Sequence, residues 1–202
     1  MKNLRNISVV KLYRELSSIG IDKFTPEKER KYILLGNSIN LTTLTLIVPY
    51  TFLFYFLGVE KLALLLGSFF FLFSFYHFLT YKRYYFLSRA LMLISMNTIL
   101  GIYAIVLGRD SGLHFLYFVF FTLPFLLFSL RNYILVSFCC VSSFVFFCLV
   151  RFQLFEPVVI MNSFALQLIS AVMVAVTFGW LLLNKLYLLR VNRIVEADLK
   201  ET

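Results

Sequence analysis

Six long uncharged segments constrain the fold more than any other feature of the sequence. Each has between 19 and 28 residues and contains no Asp, Glu, Lys or Arg. A helix of about 20 apolar residues spans the hydrocarbon core of a bilayer. The segments occupy residues 32–59, 62–81, 90–108, 111–130, 132–150 and 157–184. We therefore predict an all-α membrane protein, a bundle of six transmembrane helices.

The charges between these segments indicate how the chain is oriented. With a cytoplasmic N-terminus, sixteen of the nineteen Lys and Arg residues fall on the cytoplasmic side, and only Lys61, Arg109 and Arg151 fall on the other. Positive charge is retained on the cytoplasmic side of membranes. We predict a multi-pass membrane protein with both termini in the cytoplasm. Because topology accounts for the net charge of +9, no nucleic-acid partner is expected.

The same pattern divides the chain into three parts. They are a polar cytoplasmic cap (1–31), the six-helix membrane domain (32–184) and a cytoplasmic helix that starts a coiled coil (185–202). In the cap, apolar residues recur at helical spacing from Val9 to Ile19, which predicts an amphipathic helix ended by Gly20. Two interpretations of that helix stay open. It lies on the lipid headgroups, or it packs against a partner or the C-terminal helix.

The last uncharged segment is expected to continue as one helix from Pro157 through the charged tail, because neither a proline nor a glycine pair interrupts it. Small residues lie four apart on one face, with one amide among them: Ser163, Gln167, Ala171, Ala175 and Gly179. This spacing lets helices approach closely in lipid. It fits contact with another helix of the same chain or a homodimer seam. Coiled-coil spacing in the tail would extend that seam through Leu188, Val191 and Val195.

Patterns that carry catalysis or bind metals are absent from the sequence. The motifs of zinc proteases, serine hydrolases and nucleotide-binding loops do not occur. Ionisable groups at membrane depth, which mark many transporters and intramembrane proteases, are missing from all six segments. His77 is expected in the inner half of the second helix and His114 at the outer end of the fourth. The two side chains are then too far apart to share a metal. We predict no catalytic residue, metal or cofactor.

One polar cluster is the strongest candidate for ligand binding. It lies between the third and fourth segments on the predicted outer side, in a turn made tight by two glycines. Its members, with three polar residues placed deeper in the membrane, are Arg109, Asp110, Ser111, His114, Tyr117, Asn97 and Gln167. A solvated turn with a local Arg–Asp pair is the alternative interpretation. Because the outer loops are short, a ligand would be small and fairly apolar.

These residues also carry a resemblance. The sequence Gly-Arg-Asp-Ser-Gly-Leu-His-Phe at 108–115, the aromatic segment with Pro124, and Ser-Leu-Arg-Asn at 129–132 resemble one known module. It is the N-terminal six-helix membrane domain of bacterial class III adenylate/guanylate cyclases and related sensor histidine kinases. The resemblance covers residues 26–201. It implies a protein of a bacterial inner membrane and a dimer whose sixth helix continues into a transducing helix, with a catalytic domain beyond this chain.

Two functional hypotheses follow from these observations. The first is a membrane-embedded sensory and dimerising domain that relays a signal through its last helix to a cytoplasmic cyclase or kinase domain. Its partners would be the lipid bilayer, a second copy and a small apolar ligand. The second is a free-standing small transporter or channel. That function needs a polar path, which only Asn40, Thr43, Asn97, Thr98 and Gln167 could line.

Overall fold

The computed structural model of this chain describes residues 9–23, 25–152, 154–159 and 162–201. Beyond residue 182 it describes the backbone of the last helix and the side chain of Lys185. The regular structure of these ranges is entirely helical. The α-helices are α1 (Val9–Ser17), α2 (Glu27–Phe56), α3 (Glu60–Tyr81), α4 (Tyr85–Leu107), α5 (Tyr117–Leu127), α6 (Tyr133–Arg151) and α7 (Ser163–Glu201). Short 3₁₀ turns occupy Arg109–Ser111, Leu113–Leu116 and Leu130–Asn132.

Five helices in the described ranges are long and apolar enough to cross a membrane. These spans are Glu29–Phe56, Glu60–Tyr81, Tyr85–Leu107, Tyr133–Arg151 and Ser163–Leu182. Many of their large side chains are exposed, as contact with lipid requires. The prediction of an all-helical chain is confirmed for the described residues, and five of its helices are long and apolar enough to span a membrane.

The fourth uncharged segment forms a shorter helix than the 20-residue crossing we predicted. Gly112 has a φ of +70° and separates two 3₁₀ turns, so α-helical structure begins only at Tyr117. Helix α5 then has 11 residues and ends at Leu127. In the described residues this segment therefore forms one short apolar helix, in addition to the five long ones.

The last helix begins later than we predicted. Residues Pro157 to Val159 are not helical, and the amides of Val158 and Val159 donate to the carbonyl of Val106 at 3.0 and 3.1 Å. Helix α7 starts at Ser163, where the side chain of Asn162 accepts a hydrogen bond from the Ala165 amide at 2.7 Å. The predicted start at Pro157 is therefore wrong. The continuation is correct, because α7 runs unbroken for 39 residues.

The amphipathic segment packs against its own chain. Helix α1 ends before Gly20, which has a φ of +84° and provides the left-handed residue that commonly stops a helix. The amide of Asn37 on α2 donates to the carbonyls of Ser17 and Ile19, both at 2.9 Å. The hydroxyl of Tyr85 donates to the carbonyl of Gly20. The sequence predicted neither the contact of this segment with α2 nor its contact with the start of α4.

The described residues group into two compact units. One contains residues up to 96 together with 124–136, and its core includes Ile33, Ile39, Phe73, Met92 and Leu93. The other contains 97–123 and the chain from 137, with Ala104, Leu107, Leu123, Cys139 and Ile169 in its core. The boundary predicted between cap and membrane domain, after residue 31, falls inside α2.

Candidate functional site

The predicted ligand cluster forms a tight double turn, called here the glycine turn (residues 108–116). Gly108 and Gly112 both have positive φ, at +75° and +70°, in the region that favours glycine. Ser111 is completely buried, and its hydroxyl donates to the carbonyl of Gly108 at 2.7 Å. Two left-handed residues and one internal hydrogen bond therefore define the backbone of the turn.

The glycine turn packs directly against the start of the last helix. A Cβ atom on Gly112 would lie 2.6 Å from the Ser170 hydroxyl and 3.0 Å from the Ser170 Cα on α7. A Cβ on Gly108 would lie 3.0 Å from the ring of Pro157, in the segment that leads into α7. Because these two residues have no Cβ, the backbone of the turn lies close to Ser170 on α7 and to Pro157 before it. A movement of the turn towards these residues would push against α7.

The charged members of the cluster point into solvent. Arg109 and Asp110 form an ion pair at 3.7 Å, with side chains 41% and 71% exposed. Such exposed pairs contribute at most about 1 kcal/mol. This pair matches the alternative interpretation of a solvated turn for these two residues. It leaves both side chains accessible from outside the protein.

The aromatic members of the cluster are buried and incompletely hydrogen-bonded. His114 packs against Phe115 and Phe147, with ring centroids 4.3 and 5.8 Å away. Tyr117 stacks on Phe146 at 6.0 Å. His114 Nδ1 and the Tyr117 hydroxyl are buried without a hydrogen-bond partner among the described atoms. Burying polar atoms unpaired is costly, so these two atoms are the cluster's leading candidates for hydrogen bonds to a ligand.

The two deeper residues do not join this group. The Asn97 amide donates to the Ser142 hydroxyl at 2.6 Å, and its carbonyl accepts from Ser143 at 3.3 Å, so its hydrogen bonds go to α6. Gln167 is exposed on α7. The structure thus buries Ser111 and His114 in the turn and Tyr117 directly after it, and leaves Arg109 and Asp110 accessible to solvent.

The small residues of α7 lie on its exposed face. Ser163, Gln167, Ala171, Ala175 and Gly179 are all exposed, and a Cβ on Gly179 would meet nothing within 4 Å. The opposite face is buried, through Ala165, Ile169, Met173 and Thr177. The side chains of Leu188, Val191 and Val195 lie outside the described residues. Within the described chain, the small-residue face is left free for another molecule.

Sequence reasoning treated Arg89 as a topology charge and missed its burial. The Arg89 side chain is 8% exposed, although it lies only four residues into α4. Its Nη2 donates to the Glu29 carboxylate at 2.9 Å, and its Nε donates to the Tyr85 carbonyl at 3.2 Å. The rings of Tyr32 and Phe128 flank the guanidinium, with centroids 5.4 and 5.7 Å away. Its position inside a helix, rather than in a turn, was the available signal.

The remaining polar groups at depth are held by the helices around them. The Asn40 amide donates to the Phe73 carbonyl at 3.0 Å and lies 3.2 Å from His77 Nδ1. Among the described residues, no three His, Cys, Asp or Glu side chains come together as a metal site. The Asn40 hydrogen bonds join α2 to α3, and Asn40 Oδ1 and His77 Nε2 are buried without a hydrogen-bond partner among the described atoms.

Comparison with protein-family models, with curated proteins and with solved structures finds no match for this chain. The glycine turn and the continuous helix that packs against it are the features of the described residues that bear on function.

Proposed function

We propose that this chain is a membrane-embedded sensory and dimerising domain that relays a signal through α7 to a cytoplasmic output domain of cyclase or kinase type. In this proposal the glycine turn receives the signal and α7 carries it. The partners are the lipid bilayer, a second copy of the chain and a small apolar ligand. The chain itself contributes no catalytic residue.

The observation that carries this proposal is the contact between the glycine turn and α7. At Gly112 the turn approaches Ser170 so closely that even a methyl group would not fit. Ser170 lies in the second turn of a helix that continues without a break to Glu201. A ligand that shifts the turn would therefore shift the whole helix.

The length of α7 suits transmission across a membrane. Its 39 residues correspond to about 58 Å at about 1.5 Å per residue. The hydrocarbon core is only about 30 Å thick. About half of the helix thus extends beyond the core, where it can rotate or slide an attached domain.

The exposed face of α7 supports the dimer. In lipid, helices associate through small residues that let their backbones approach, and four small residues and one amide lie exposed along this face. Two copies joined there would place their cytoplasmic extensions side by side. That arrangement suits an output enzyme that works as a dimer.

The charge pattern supports the orientation in this proposal. Sixteen of nineteen basic residues lie on one side if the membrane is crossed six times from a cytoplasmic start. In this proposal both termini lie on the cytoplasmic side of a bacterial inner membrane, and the glycine turn lies on the outer side. It also makes α5 the fourth of six crossings.

The transporter alternative receives less support. The Asn97 side chain is engaged with Ser142 and Ser143, and Asn40 binds the Phe73 carbonyl. The Thr43 hydroxyl donates to the Ile39 carbonyl in its own helix. The Asn97 and Thr43 groups engaged in this way are less able to coordinate a passing solute, whereas Asn40 Oδ1 is buried without a hydrogen-bond partner among the described atoms.

The relay is tested by changing the rotation of α7. We expect that fusing the chain to a reporter cyclase and inserting one residue after Leu189 will change the reporter's output. Each inserted residue rotates the following helix by about 100°. Insertion of seven residues is the matched control, because it restores the rotation to within about 20°. Output is measured as cyclic nucleotide formed in membranes with equal amounts of fusion protein.

A rotational relay predicts that output changes with one or two inserted residues and recovers with seven. Output that is the same in all of these fusions would contradict the relay. Output that falls steadily with the number of inserted residues would mean that α7 is only a tether.

A further inference from the structure

A cleft opens beside the buried guanidinium of Arg89. Its volume is about 400 Å³, within the range of small-molecule sites. It is lined by residues of α2, the α3–α4 turn, α4 and the α5–α6 turn, all in the first compact unit: Glu29, Tyr32, Arg83, Tyr84, Tyr85, Phe86, Leu87, Arg89, Phe128, Ser129 and Asn132. The lining combines aromatic rings with two cations, one carboxylate, a hydroxyl and an amide.

We propose that this cleft binds the phosphate group of an anionic lipid headgroup, with Arg89 as the principal donor. The Nη1 atom of Arg89 is buried and has no hydrogen-bond partner among the described atoms. The Nε and Nη2 atoms are already bound to Tyr85 and Glu29. A buried guanidinium nitrogen with two unused hydrogens calls for an acceptor, and phosphate oxygens are among the strongest.

Neighbouring side chains fix the position of the Arg89 guanidinium before any anion binds. Tyr32 and Phe128 flank it, and Glu29 fixes one end. A side chain held in this way loses little further entropy when it binds. Gly36 contributes to the fit, because a Cβ there would lie 3.1 Å from the Arg89 Cγ. Ser129 and Asn132, which also line the cleft, add polar groups for the rest of a headgroup.

The position of the cleft favours a lipid over a soluble anion. Two lining residues, Arg83 and Tyr84, lie in the turn between α3 and α4, where one long apolar helix ends and the next begins. Tyr84, Phe86 and Leu87 are exposed at its edge. Aromatic side chains of this kind are enriched at the level of lipid headgroups. A headgroup entering here keeps its acyl chains against the apolar helices.

The test measures lipid binding to the purified chain in zwitterionic detergent. Native mass spectrometry gives the affinity of the first bound short-chain phosphatidylglycerol, with phosphatidylcholine as the comparison lipid. We expect the Arg89→Gln variant to lose about tenfold or more in phosphatidylglycerol affinity. The matched control is Lys82→Gln, which removes an exposed charge next to the cleft that does not line it. That variant should change the affinity by less than about twofold.

The Glu29→Gln variant separates the lipid site from a structural ion pair. It removes the anion that competes for Arg89, so we expect phosphatidylglycerol affinity to be retained or to rise. If Arg89 and Glu29 served only to hold the helices, Glu29→Gln would weaken lipid binding together with the fold, which would overturn the proposal. This variant also decides the question if Arg89→Gln fails to fold.

Two further outcomes discriminate between sources of the anion. Inorganic phosphate that displaces phosphatidylglycerol from the unmodified chain, but not from the Arg89→Gln variant, supports recognition of the phosphate itself. Binding of inorganic phosphate without any binding of phosphatidylglycerol would overturn the assignment to lipid. Equal losses in Arg89→Gln and Lys82→Gln would mean attraction to surface charge alone, and would overturn it as well.

Discussion

At the scale of single residues, the glycines of this chain differ in what surrounds them. Gly58 and Gly112 both have positive φ, at +77° and +70°. A Cβ on Gly58 would meet nothing within 4 Å, whereas one on Gly112 would meet the Ser170 hydroxyl and backbone. Both positions require a residue that tolerates positive φ. Of the two, only Gly112 also lacks room for a Cβ atom.

This contrast gives a matched pair of variants. Gly58→Ala should cost about 1–2 kcal/mol, the penalty of the left-handed conformation. Gly112→Ala should cost at least about 1 kcal/mol more, because the turn must move away from α7. This difference in unfolding free energy corresponds to a thermal-unfolding midpoint about 2–4 °C lower for Gly112→Ala than for Gly58→Ala. The midpoints are measured by thermal unfolding in detergent. Equal midpoints would show that the turn does not press on Ser170.

The same substitution addresses function. In the reporter fusion, Gly112→Ala should change the basal output, because it displaces the contact through which the signal passes. Gly58→Ala should leave that output unchanged. Basal activity that responds equally to both variants would assign the effect to stability rather than to the relay.

At the scale of elements, the two faces of α7 have different environments. Ala165, Ile169, Met173 and Thr177 are buried within the chain. The small-residue face is exposed. A helix that keeps its small residues on the outer side has a surface suited to close contact with a second helix in lipid.

We expect Ala175→Leu and Gly179→Leu to weaken the proposed dimer by about tenfold or more, because a large side chain separates the two backbones. The control is Val174→Leu, which adds bulk about 100° from Ala175 and about 140° from Gly179 around the helix. Dissociation is measured by energy transfer between labelled copies in lipid vesicles. A dimer that withstands both leucines would place the interface elsewhere.

At the scale of the whole molecule, the central question is the number of membrane crossings. Helix α5 has 11 residues and the 3₁₀ turn before it has four. Together they extend about 24 Å, from about 1.5 Å per α-helical and about 2.0 Å per 3₁₀ residue. The hydrocarbon core is about 30 Å thick. Local thinning of the bilayer accommodates a mismatch of this size at modest cost.

Six crossings predict opposite sides for the two ends of α5. In a chain whose Cys139, Cys140 and Cys148 are replaced by alanine, we expect Asp110→Cys to react with a membrane-impermeant thiol reagent in intact cells. Arg131→Cys should react only after the cells are opened. Lys61→Cys and Lys82→Cys calibrate the two sides. Labelling of both α5 positions from one side would mean that α5 does not cross.

The sequence by itself determined the features that depend on local composition. Uncharged segments of sufficient length predict membrane helices, because an unpaired backbone is intolerable in lipid. The continuity of α7 followed from the absence of helix-breaking residues. The glycines marked the tight turn at residues 108–116, because left-handed backbone there requires them.

Only the tertiary structure decided which groups face each other. The sequence could not show that Arg89 is buried between Tyr32 and Phe128, because these residues are far apart along the chain. Nor could it show that Gly112 contacts Ser170, or that the small-residue face of α7 is the exposed one. The start of α7 also depended on a distant partner, since Val158 and Val159 bind the Val106 carbonyl instead of continuing the helix. Periodicity reveals that a helix has two faces, but burial depends on which other segments pack against each of them.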